Sequence, residues 1–126
     1  MSERLPILKT WKLYIGGAFP RTESGRTVIV HDRKGTPCAH LCKASRKDLR
    51  NAVTAARKAA EGWAKRTAYN RGQILYRMAE MLEGKSEEAA HLLAATVPGG
   101  LRRARKEVSM SCDRLVSYAG WTDKYV

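Results

Sequence analysis

Residues 45–83 read "SRKDLRNAVTAARKAAEGWAKRTAYNRGQILYRMAEMLE", and the spacing of apolar residues in this stretch decides the fold class. Ser45 stands three residues before Asp48, the spacing of a capping box, in which a hydroxyl and a carboxylate satisfy each other's backbone N–H. Leu49, Ala52, Val53, Ala56, Ala60 and Trp63 then recur at steps of three and four. Arg46, Lys47, Arg50, Thr54, Arg57, Lys58 and Glu61 take the other face. The pattern predicts an amphipathic helix, and a stripe rich in alanine predicts close packing on a neighbour. A second helix is expected from Thr67, with Ile74, Leu75, Met78, Met81 and Leu82 inward and Gly84 as its stop.

Working outward, Ser86 opens a third helix, with Glu87 and Glu88 in the first turn where the helix dipole favours anions. It must end before "PGG" at 98–100. A fourth helix runs from about Leu101, with Leu101, Ala104, Val108, Cys112, Leu115 and Ala119 on its apolar seam. On the N-terminal side, "WKLYIGGAFP" (11–20) and "RTVIVHD" (26–32) flank the turn chemistry of "ESG" and predict a β-hairpin. "TPCAHLCKA" (36–44) reads as a further extended segment after "DRKG". The fold class is therefore mainly α with a short β-hairpin. A hairpin and extended segment over 1–44 and a four-helix segment over 45–126 make a single partial domain, as 126 residues allow at most one.

Composition is globular, with 44% hydrophobic and 29% charged residues. No run approaches the ~20 apolar residues of a membrane span. "MSERLPILKTWK" has no apolar core of a secretory signal, so a cytoplasmic location is expected. Three cysteines, an odd number, argue for reduced thiols. The net charge of +12 raises nucleic acid as a partner. The cations are spread along the chain, however, and "RRARK" (102–106) reads as a solvated helix face without interleaved aromatics.

Candidate chemistry is sparse. Cys38, His40 and Cys42 alternate on one strand face and suggest zinc. Positions two apart in a strand lie about 6.6 Å apart, while zinc bonds are only about 2.0–2.3 Å long, so three such residues do not converge on one ion. Cys112 is expected to be a buried, inert thiol with no histidine beside it. Gly16-Gly17 and Gly99-Gly100 match neither the dinucleotide fingerprint nor the P-loop. Residue chemistry alone assigns no catalytic, cofactor-binding or metal-binding residue.

Several stretches in register carry a resemblance: "KLYIGGAF", "ESGRTVIVHDRKG", the long helical stretch from Ala44 to Glu83 with Trp63, Arg71, Leu75 and Ala79, and "YAGWTDKY". Together they resemble the N-terminal portion of NAD(P)-dependent aldehyde dehydrogenases, from about Lys12 to Tyr125. The resemblance implies the N-terminal part of an α/β, Rossmann-like coenzyme-binding domain. It also implies a parent reaction: a cysteine thiolate attacks the aldehyde, hydride passes to NAD(P)+, and water releases the acid. This chain departs from the family at His31-Asp32, where Asn-Pro is usual, and at "ATVPGG", where a Thr-Gly-Lys stretch is usual. A monovalent-cation ligand that the family can draw from its fourth helix is not assigned to Glu107.

In the family, the oxyanion Asn, the general-base Glu, the nucleophilic Cys and the cofactor contacts come later than "YAGWTDKY". The resemblance thus implies a segment that binds no NAD or NADP and turns over no aldehyde by itself. Its partner would be the rest of an aldehyde dehydrogenase or a homologous subunit. Tyr118 and Trp121 would lack the sheet they pack against. Two alternatives stay open: a non-catalytic interaction subunit that docks on a full-length dehydrogenase, and a small basic nucleic-acid-binding protein.

Overall fold

A computed structural model describes residues 7–124. Three strands, β1 (Lys9–Trp11), β2 (Thr27–His31) and β3 (Pro37–Cys42), precede four helices: α1 (Arg46–Ala64), α2 (Ala68–Glu83), α3 (Ser86–Thr96) and α4 (Gly100–Trp121). The mainly helical class with a small sheet is as the sequence predicts. The chain divides into two compact units, Met1–Glu61 and Gly62–Val126.

In the first unit the sheet order is β1-β3-β2. The hairpin is not the expected one. β2 pairs antiparallel with β3, Thr27 opposite Cys42 and Val30 opposite Ala39, and the register shifts at His31. β1 joins β3 in parallel, Lys9 opposite Ala39. Two turns explain the change. Gly16 and Gly17 both have positive φ, +60° and +82°, which is the two-residue turn that reverses a chain at once. Ile15 and Ala18 therefore bond each other at 3.0 and 3.1 Å, and "WKLYIGGAFP" folds back on itself. The second turn is built by Asp32, whose Oδ1 accepts from the N–H groups of Lys34 (2.8 Å) and Thr36 (2.9 Å). Such Asx chemistry makes "DRKG" the hairpin connection.

α1 starts as predicted. Asp48 N donates to Ser45 Oγ (3.2 Å) and Ser45 N donates to Asp48 Oδ2 (2.7 Å), a reciprocal capping box. Its stripe is only partly covered. Ala52 and Ala55 are half-buried and Asp48 is buried, so the packed side runs through 48, 52 and 55. There the missing side chain of Gly16 admits the helix: a Cβ at Gly16 would stand 3.6 Å from that of Ala55. Leu49 (64% exposed) and Val53 (44%) lie outside that contact, as do Ala56, Ala60 and Trp63.

In the second unit, α2 is capped by Thr67, whose Oγ1 accepts from Asn70 N at 3.1 Å. It ends at Gly84, but with φ of −62°, so the glycine closes the helix without entering the left-handed region. The buried face of α2 is Gly72 and Ala79, flanked by half-buried Ile74, Leu75 and Leu82; Met78 and Met81 face solvent. The reason is a close crossing. A Cβ at Gly72 would meet Thr122 Oγ1 at 2.9 Å and the Ala119 carbonyl at 3.2 Å, so α4 approaches α2 where the side chains are smallest. The seam of α4 is as expected, with Ala104, Val108 and Ala119 buried and Leu101, Cys112 and Leu115 half-buried. Ala90 of α3, Ala104 and Val108 form the core cluster, lined by Leu82, Leu93 and Leu101.

Candidate functional site

Cys38, His40 and Cys42 all lie on β3 and are all half-buried. Cys38 Sγ donates to the carbonyl of Val30, 3.4 Å away across the ladder. Among the described residues no three His, Cys, Asp or Glu side chains come close enough together to hold a metal ion.

Cys112 is half-buried rather than buried. It borders a cavity of about 240 Å³ between α3 and α4, together with Glu83, Ser86, Glu87, Arg105 and Asp113. The charge there is organised by one pair. Arg105 donates through Nε to Glu87 Oε1 and through Nη2 to Oε2, both at 2.8 Å. This fork-to-carboxylate geometry is the strong form of an ion pair. The hydrogen bonds from the Arg105 guanidinium hold the Glu87 carboxyl below its ordinary range, and burial opposes them. His91 directs Nδ1 to the Glu87 backbone carbonyl at 2.8 Å and does not border the cavity. Cys112 therefore has three carboxylates and a committed guanidinium around it, a setting that disfavours a thiolate.

The same lining decides the fit of a dinucleotide. A pyrophosphate needs unpaired N–H donors or cations, as at a helix N-terminus or glycine loop. Glu83, Glu87 and Asp113 would repel it, and Arg105 is already engaged. The lining of this cavity therefore does not suit the pyrophosphate of NAD(P)+.

The "RRARK" run splits in space. Arg105 turns to Glu87, while Arg103 and Lys106 join Met110 and Arg114 around a shallow depression on α4 that Glu107 also borders. Glu107 is exposed there. A third depression, about 210 Å³, lies between α2 and the end of α4 and carries Tyr69, Gln73, Tyr76, Asp123 and Lys124. Tyr118 is 67% exposed and Trp121 52%, so these two aromatics stand largely open, as expected; Tyr125 lies outside the described residues.

One group escaped the sequence reading. Thr22 Oγ1 donates to Asp48 Oδ2 at 2.6 Å, both residues being buried. With the Thr22 hydroxyl first and the Ser45 N–H second, these donors hold the Asp48 carboxyl below its ordinary range; burial opposes them. The partners are 26 positions apart, and no local pattern links them.

The family model for the aldehyde dehydrogenase family matches residues 19–126. The chain is 38% identical over 117 residues to the mitochondrial benzaldehyde dehydrogenase of Antirrhinum majus, covering 90% of this chain and 22% of that protein. It is 32% identical over 126 residues to the cytosolic 10-formyltetrahydrofolate dehydrogenase of Mus musculus, covering 97% and 14%. Among solved structures, the NAD+ complex of an aldehyde dehydrogenase from Bacillus cereus superposes with a TM-score of 0.88 at 30% identity, covering 93% of this chain and 25% of that one. The chain thus spans a quarter or less of the length of these relatives.

Proposed function

Since the chain belongs to the aldehyde dehydrogenase family, we propose that it forms the N-terminal, non-catalytic part of an aldehyde dehydrogenase coenzyme-binding domain. The aldehyde is oxidised by groups that lie in the part of the relatives this chain does not span. One observation carries the reading: nearly all of the chain superposes on one quarter of an NAD+-bound dehydrogenase, and the larger part of that enzyme lies outside the match. The segment contributes packing. The capped helices α1 and α2 and the close α2–α4 crossing support a sheet that other residues complete. NAD+ is the cofactor of the complete enzyme by analogy with the Bacillus cereus complex. No described helix is long and apolar enough to cross a membrane; the relatives named above include a cytosolic and a mitochondrial protein, and the cytoplasm is our assignment.

The test is turnover. The purified 126-residue chain, given benzaldehyde or acetaldehyde with NAD+ or NADP+, is expected to produce no reduced cofactor above the buffer rate. Turnover that disappears when Cys38, Cys42 and Cys112 are changed to serine would overturn the proposal.

A second reading is favoured by the open stripe of α1. The chain would be an interaction subunit that docks on a full-length dehydrogenase, and affinity capture from a lysate that recovers no dehydrogenase would count against it. The basic depression on α4 keeps nucleic acid as a third. Absence of a gel shift at low salt, where phosphate contacts are strongest, would remove it.

A further inference from the structure

We propose that the open stripe of α1 is a docking face for an apolar protein surface edged with carboxylates, supplied by the remainder of an aldehyde dehydrogenase subunit. This rests on the reading proposed above and adds which face docks and by what chemistry. On a helix of 3.6 residues per turn, Leu49, Val53, Ala56 and Ala60 form one straight stripe, and all four are exposed. One border of the stripe is the packed side that carries Asp48, Ala52 and Ala55. The other border is Arg46, Arg50 and Arg57, also exposed. The open edge is therefore one-sided and cationic, with Glu61 as the single carboxylate along it.

Three occupants are conceivable, and the residues separate them. A second copy would place the same patch on both sides: an antiparallel pair sets arginine edges against each other, and a parallel pair sets them against the packed border, where Asp48 is already engaged by Thr22 and Ser45. A membrane-surface helix draws its affinity from large apolar side chains, and half of this stripe is alanine. Alanines instead let another element approach closely, because interaxial distance depends on the side chains at the contact. An apolar protein surface with acidic groups along one edge satisfies both the small side chains and the arginine border.

The test uses two hosts for the same substitutions. In the 126-residue chain Leu49 is already in water, so Leu49→Glu should leave the far-ultraviolet circular dichroism and melting temperature unchanged. In a chimera in which residues 19–126 replace the matching segment of the Bacillus cereus aldehyde dehydrogenase, it should cut the yield of soluble, active enzyme about tenfold, the scale of burying an unpaired charge. The triple change R46Q/R50Q/R57Q should remove the salt dependence of the chimera's melting temperature. R102Q/R103Q on α4 serves as the control and should change neither quantity.

A native chimera without NAD+-dependent turnover would overturn the functional reading and the docking with it. An active chimera indifferent to Leu49→Glu and to the arginine changes would overturn the docking alone. Two results on the isolated chain would also overturn it, by giving the stripe another occupant. One is Leu49-dependent dimerisation in light scattering; the other is Leu49-dependent sedimentation with phosphatidylserine vesicles.

Discussion

Asp48 carries three duties at once: it caps α1 through Ser45, accepts from the Thr22 hydroxyl, and stays ionised in a buried position. Its folded carboxyl titrates below the unfolded one, which lies near about 3.9. Between those two values the unfolded chain binds more protons, so stability rises with pH there. The contribution is complete above the unfolded value and is lost as pH falls through the folded one. Asp48→Asn is therefore expected to lower the urea midpoint at neutral pH, and the gap between variant and parent should close below about pH 4. Urea titrations at graded pH check this. Glu87 is shifted in the same direction by Arg105, so Glu87→Gln should close its own gap in the same acid range, and the two effects separate in the double variant. Thr22→Val should raise the Asp48 titration seen by carboxyl NMR, because the first of its donors is removed.

Between elements, the crossing of α2 and α4 is set by Gly72. Gly72→Ala is expected to destabilise the fold by about 1–3 kcal/mol, as overpacking does. Thr122→Ala should restore only part of the loss, because the Ala119 carbonyl at 3.2 Å remains; thermal melts of the two variants and their double measure it. Thr67→Ala should cost about 1 kcal/mol through the lost cap, and Thr67→Ser much less. The helix start at Thr67, the start at Ser86 and the seam through Ala104, Val108 and Ala119 were legible because a cap, an acidic first turn and periodicity are local signals. The β1–β3 pairing was not, since it joins residues some thirty positions apart and strand propensity says nothing of partners. The stripe of α1 was half legible. Periodicity marks an apolar face but does not report whether a cover is present, so Ala52 was placed correctly and Leu49 was not. For the candidate site, strand spacing argued against zinc at Cys38, His40 and Cys42. The Glu87–Arg105 fork beside Cys112 required α3 and α4 to be brought together first.

At the scale of the whole molecule, the buried apolar residues among those described are four alanines and one valine: Ala79, Ala90, Ala104, Val108 and Ala119. Among the described residues no large side chain is fully buried. Small cores of this kind supply little of the transfer energy that stabilises a domain, and open leucine, tyrosine and tryptophan surfaces invite apolar dyes. The chain is expected to enhance the fluorescence of anilinonaphthalene sulfonate in native buffer, with far-ultraviolet dichroism still helical. Absence of enhancement would show that these surfaces are closed in solution.

The sheet described for the first unit has a practical consequence. Among the described residues only β3 is paired on both sides; β1 and β2 present their outer edges, and β2 adds the half-exposed side chains of Val28 and Ile29. An unpaired β-branched edge is a template for strand addition by another chain. Concentrated stocks should therefore lose material over days by fibril seeding through "TVIV", detectable with thioflavin T. A Val28→Lys change, which puts a charge on that edge strand, should lengthen the lag and extend the shelf life of the protein.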